Sequence, residues 1–192
     1  MNDQAAANPM RIPAWAHYTG VLNLSEAVAP ASDEDVAARQ LITERIARYC
    51  WCYDERRADL LGDCFTRDAT WEGTVLGEIP IGPFTGREKI MAWLSEFWPH
   101  QKDQRRHMIL NTIVQEQSAD TASTLSYLLL MASTGEVMSM ESMGFYRVNY
   151  RVEDGHWRIA HLFAGFDKPF WPGKLEKLSE RGRTRHGIAE KG

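Results

Sequence analysis

The sequence predicts an α+β domain in which a curved, cone-shaped antiparallel sheet wraps around helices from the first half of the chain. Three observations point there. Apolar residues recur at three- and four-residue steps up to about residue 98, and at two-residue steps after it. Short polar turn segments then divide the second half into runs of strand length, which makes the neighbours antiparallel. The chain has 192 residues, a length that suits one core better than two. A long sheet with one apolar face must coil over the helices to bury it, and coiling leaves an interior.

Residues 1–31 read as an N-terminal arm. Pro9, Pro13 and Pro30 interrupt any period, while Trp15, Tyr18, Val21, Leu22 and Leu24 give the arm something to bury against the body or a partner subunit. Residues 32–166 form the domain. Ser32 followed by Asp33, Glu34 and Asp35 starts a helix, because a hydroxyl caps free N–H groups and acidic side chains favour the positive end of the dipole. Ile42, Ile46, Tyr49, Cys50 and Tyr53 mark its core face. A short helix is expected from Asp59 to Phe65, then a short strand over 68–73, then a loop over 77–86, which is rich in glycine and proline. Thr85 or Gly86 opens a third helix through Ile90, Met91, Leu94 and Phe97, and Pro99 stops it. Strands are expected at about 104–116, 121–132, 138–152 and 156–165. Residues 167–192 form a tail that begins with aromatics and ends basic.

Composition excludes several classes. A formal net charge of −4 with no basic stripe removes the electrostatic footprint of a nucleic-acid binder. No run of about 18 apolar residues suits a membrane span, and the first residues lack the apolar stretch of a secretory signal, so a cytoplasmic location is expected. Cys50, Cys52 and Cys64 read as reduced thiols, without the spacing of a zinc or redox site. Phosphate-cradling loops, dinucleotide fingerprints and metalloprotease motifs are absent, so the expected chemistry uses neither cofactor nor metal.

Two residues stand out against this background. Asp54 lies four residues after Cys50 and eight after Ile46, in line with the core face of the first helix. It either turns to water or to Arg56 or Arg57 at the helix end, or it is a carboxylate held in a pocket. His107 shares a strand face with Ile109, Asn111 and Ile113, and the opposite face is also apolar, so the strand reads as buried on both sides. An imidazole there is a hydrogen-bonded core histidine or a catalytic one. Tyr53 offers a phenolic donor to a substrate oxygen, or packs as a core aromatic. Seven tryptophans in a chain of this length suit either a core or a pocket for a flat apolar ligand.

Four stretches carry a family resemblance: RYCWCYDERRADLLGDCFTRDATWEG, GPFTGREKIMAWL, RRHMILNTIV and FYRVNYRVEDGHWRIAHL, together spanning roughly residues 35–165. In order and spacing they resemble the SnoaL-like branch of the nuclear transport factor 2-like superfamily, which includes scytalone dehydratase, a dehydrochlorinase and small lignin-fragment lyases. The resemblance implies that Tyr53 and Asp54 fall on the tyrosine–aspartate pair of the dehydratases and His107 on their catalytic histidine. The implied activity is a cofactor-free lyase, a dehydratase or deformylating enzyme acting on a small hydroxylated aromatic or polycyclic compound. Isomerisation or cyclisation on the same scaffold, or a non-catalytic role such as a dioxygenase small subunit, are the alternatives. Where scytalone dehydratase has a second histidine and a serine–asparagine pair, this chain has Tyr127 and then Gly144 and Tyr146, which disfavours scytalone itself. Trp71, Asn111, Tyr127, Tyr146, Phe163, Phe170 and Trp171 are the expected substrate contacts, with Phe166, Phe170 and Trp171 as lid candidates and a solvated tail expected after Gly173. The resemblance further implies a homo-oligomer, with a trimer favoured over a dimer.

Overall fold

The computed structural model describes residues 16–19, 22 and 24–168. Helix α1 spans Asp33–Asp54, α2 Ala58–Gly62 and α3 Arg87–Glu96. Strands are β1 (Phe65–Val75), β2 (Ile79–Thr85), β3 (Gln104–Gln117), β4 (Thr121–Thr134), β5 (Val137–Glu153) and β6 (His156–Phe166). They form one curved six-stranded sheet in the order β2-β1-β6-β5-β4-β3, whose concave face receives α1 and α3. Among the described residues, no helix is long and apolar enough to cross a membrane.

Local chemistry accounts for the start and stop of α1. The Ser32 hydroxyl accepts from the Asp35 amide at 3.1 Å, and the Asp35 carboxylate accepts from the Ala31 amide at 2.9 Å. That reciprocal cap satisfies donors that a helix start would otherwise leave free. At the other end Arg56 takes a left-handed conformation, with φ 55°, and its amide bonds back to the Tyr53 carbonyl. The turn stops the helix at Asp54 and leaves that side chain at the helix mouth. Ile42, Ile46, Tyr49, Cys50 and Tyr53 are all buried on the face turned to the sheet.

Four expectations need correction. The glycine- and proline-rich segment at 79–85 is a strand rather than a loop, and it survives Pro80 and Pro83 because β2 is an edge strand, where a missing N–H costs no ladder bond on the open side. The helix expected over 59–65 ends at Gly62, and Phe65 already belongs to β1. The sheet is mixed rather than purely antiparallel: β1 runs parallel to β6, pairing Trp71 with Leu162 and Thr74 with Gly165. Finally, β3 lies at the other edge and is buried on one side only, leaving Met108, Leu110 and Ile113 exposed on the convex face.

Two apolar clusters result. The main core lies between the helices and the concave face, around Ile46, Leu61, Ile90, Leu128 and Leu162. A small one lies on the convex face, where Leu125, Phe145 and Phe163 pack with Ala16 and Leu22 of the arm. The Ala16 carbonyl sits where a side chain on Gly165 would be, 2.7 Å from the position of its Cβ. Tyr18 Oη donates to the Gly73 carbonyl at 3.2 Å. In the arm Leu24 is exposed, and Trp15 and Val21 lie outside the described residues.

Candidate active site

The end of α1 and the start of β3 are brought together by one carboxylate. Asp54 Oδ2 accepts from the backbone N–H of His107 at 2.8 Å, and Asp54 Oδ1 lies 2.6 Å from Nδ1 of the same residue. Both side chains are close to buried, at 4% exposure for Asp54 and 11% for His107. A carboxylate only accepts, so Nδ1 carries a proton and Nε2 is the ring nitrogen that Asp54 leaves unengaged. Arg56 and Arg57, the alternative partners weighed for Asp54, are engaged elsewhere: Arg56 donates to the Gln101 carbonyl and Arg57 pairs with Asp59.

The imidazole lines a cavity of about 40 Å³ together with Tyr49, Tyr53, Trp71, Trp93 and Tyr146. Tyr53 stands edge-on to the imidazole, with ring centres 5.2 Å apart, and its Oη accepts from Gln101 Nε2 at 2.8 Å. Burial pushes the Tyr53 phenol up, against smaller opposing pulls from the Gln101 hydrogen bond and the Arg105 cation. It therefore stays a donor at neutral pH. Trp71 Nε1 donates to Tyr49 Oη at 3.1 Å, and burial holds the Tyr49 and Tyr146 phenols above their ordinary range. Trp93 stacks on Phe84 at 4.4 Å and lies 4.2 Å from the Trp71 ring. The space is partly open to solvent and takes only a few waters. A roomier cleft of about 350 Å³ lies between α1, α2 and the β5–β6 turn, lined by Arg45, Arg48, Cys64 and Trp157, and it does not contain the dyad.

The expected substrate contacts divide. Trp71 and Tyr146 line the dyad cavity, as does Phe166. Asn111 does not: the β3 register shifts between Leu110 and Ile113, Asn111 takes φ 52°, and the extra residue carries it off the His107 face into solvent. Tyr127 is 56% exposed on the convex face, because its neighbours Ser126 and Leu128 take the inward positions. Phe163 is buried, but on the convex side against Phe145 and the arm. Phe170 and Trp171 lie outside the described residues. Sequence reasoning missed Tyr49, Trp93, Gln101 and Arg105 as wall residues. Two of these were within reach of periodicity, since Tyr49 is four before Tyr53 on one helix and Arg105 two before His107 on one strand.

The family model for the SnoaL-like domain matches residues 34–162, two thirds of the chain. The chain belongs to this family. Solved structures agree on the fold of the SnoaL-like domain. A protein of Novosphingobium aromaticivorans described as nuclear transport factor 2-like with a cystatin-like fold superposes with TM-score 0.57 at 20% identity, covering 72% of this chain and 92% of that one. The beta subunit of a putative aromatic-ring-hydroxylating dioxygenase from the same organism gives TM-score 0.60 at 14% identity, covering 71% and 94%. A Catenulispora acidiphila protein in complex with S-DNPA gives 0.58 at 22%, covering 68% and 94%. At these identities the likeness concerns fold alone. No curated protein matches the chain in sequence.

Proposed function

We propose that this SnoaL-like domain is a cofactor-independent lyase that acts on a small hydroxylated aromatic or polycyclic compound by His–Asp acid–base catalysis. The observation that carries the reading is the double engagement of His107 by Asp54 at the wall of an aromatic-lined cavity. In it His107 Nε2 removes a proton from carbon or hydroxyl, Asp54 holds the ring and balances the imidazolium, and Tyr53 donates to the substrate oxygen. Loss of water or scission of a carbon–carbon bond follows, and isomerisation or cyclisation shares the first step. The aromatic walls Trp71 and Tyr146 suit a flat ring. The test is turnover of a panel of hydroxylated aromatics by the His107→Ala variant, expected to fall by about a hundredfold to ten-thousandfold. Full turnover in that variant overturns the mechanism.

A second reading, a non-catalytic assembly subunit, draws on the fold shared with a dioxygenase beta subunit and on the convex face. Cross-strand pairing aligns Met108, Leu129 and Met143 there, next to Leu110 and Tyr127, and Met108, Leu110, Tyr127 and Met143 are exposed. Both readings include self-association through this face, with a trimer favoured. Light scattering that returns a monomer counts against the association, and turnover separates the two readings.

A further inference from the structure

The cleft between α1, α2 and the β5–β6 turn lies apart from the dyad and holds a cation without a counter-ion. Arg45, Arg48 and Cys52 of α1 line one side and Cys64 and Trp157 the other, around a ligand-sized volume of about 350 Å³. The neighbouring charges are matched. Arg48 pairs with Glu44 at 2.6 Å, Asp63 with Arg158 at 3.4 Å, and Arg57, in the adjoining groove, with Asp59 at 2.7 Å. Glu153, 4.0 Å from Arg158, also meets Arg87 at 3.3 Å, while Asp154 and Asp68 pair with Arg67 and Arg151. His156 adds no negative charge in either protonation state. Arg45 is left over. Among the described residues no carboxylate lies within ion-pair reach of it, and its Nε is buried without a hydrogen-bond partner. The group beside it is the Cys64 thiol, which burial keeps protonated by pushing its pKa up to about 11. A neutral thiol is a weak acceptor for a guanidinium.

We propose that this cleft is a second ligand site, which takes a small organic monocarboxylate with its head on Arg45 and its apolar body against Leu41 and Leu60. The charge balance selects the head group. One unmatched cation accommodates one negative charge, whereas a dianion brings a second beside Glu44 and Asp63. A carboxylate supplies the strong acceptor that the guanidinium lacks, in the planar two-pronged geometry that suits both. Exposure selects the body. Leu41 and Leu60 are 53% and 42% exposed at the cleft, and an aliphatic or aromatic group covers that apolar surface. Helix α1 thus serves two sites, since its Tyr49 and Tyr53 line the dyad cavity. The second site does not depend on His107 acting as a base.

The experiment titrates the full-length protein with benzoate, benzamide and phenyl phosphate, which share a ring and differ in charge. It follows the indole N–H signal of Trp157 by NMR, assigned from its loss in Trp157→Phe. Benzoate is expected to shift that signal saturably, and benzamide to bind about tenfold more weakly or worse. Arg45→Gln is expected to weaken benzoate by about tenfold to a hundredfold, as for loss of a hydrogen bond to a charged group. If that variant folds poorly, the ratio of benzoate to benzamide affinity in the unaltered protein decides. A Trp157 signal that benzoate leaves unmoved overturns the proposal, and movement of the Trp71 and Trp93 signals instead places the ligand in the dyad cavity. Equal binding of benzoate and benzamide, equal benzoate affinity in Arg45→Gln, or tighter binding of phenyl phosphate overturns it as well.

Discussion

At the residue scale the site is governed by how many partners one carboxylate can hold. Asp54 accepts from the His107 amide and faces its ring, so it is at once a clasp between α1 and β3 and the group that sets the imidazole tautomer. Asp54→Ala leaves the His107 amide without its acceptor, and a buried donor so stranded costs about 1–3 kcal/mol. The variant should lose that much in urea unfolding and most of its turnover as well. A change under about 0.5 kcal/mol, the range of surface substitutions, would show that Asp54 does not hold the strand. Sequence spacing made Asp54 and His107 visible as an acid and an imidazole on inward faces, but left each with a mundane alternative. The structure turns the Asp54 carboxylate to the amide and ring of His107 rather than to Arg56 or Arg57.

At the element scale the sheet depends on close strand approaches that only glycine permits. A Cβ on Gly144 of β5 would stand 1.8 Å from the Gly165 carbonyl of β6, and one on Gly73 of β1 would stand 2.4 Å from the Ala164 carbonyl. Backbone cannot yield as a flexible side chain can, so Gly144→Ala should cost about 1–3 kcal/mol. Because Gly144 pairs with Phe166, which lines the cavity, that variant should also alter ligand binding at the dyad. An unchanged melting temperature would show that the strands part freely there. The same scale explains why Asn111, Tyr127 and Phe163 were misjudged as pocket residues. A two-residue alternation read off the chain gives two faces but not which is concave, and it breaks wherever a bulge such as that after Leu110 adds a residue.

At the scale of the whole molecule, the core carries phenols whose ionisation burial opposes. Burial raises Tyr49, Tyr53, Tyr146 and Tyr150 above the ordinary tyrosine value, and pushes the Cys64 thiol up to about 11. The unfolded chain therefore releases these protons at lower pH than the folded one. Stability is fully present below the unfolded values, about 8.5 for thiols and 10 for phenols, and is lost as pH rises through the raised folded values. The melting temperature should fall steadily above about pH 9; a flat profile up to pH 11 would contradict the burial of these groups.

The sequence by itself determined the α+β class, the start of α1, the approximate extent of the four long strands, and the alignment of Asp54 with the core face of α1. Those follow from periodicity, capping and turn chemistry, which act over a few residues. The tertiary structure alone decided the parallel pairing of β1 with β6, the strand at Ile79–Thr85, and the arrival of Tyr49, Trp93 and Arg105 at one cavity. Each of these depends on which strand lies at an edge and on which way the sheet curves. Such choices are made between segments far apart in the chain, where local propensity has no say.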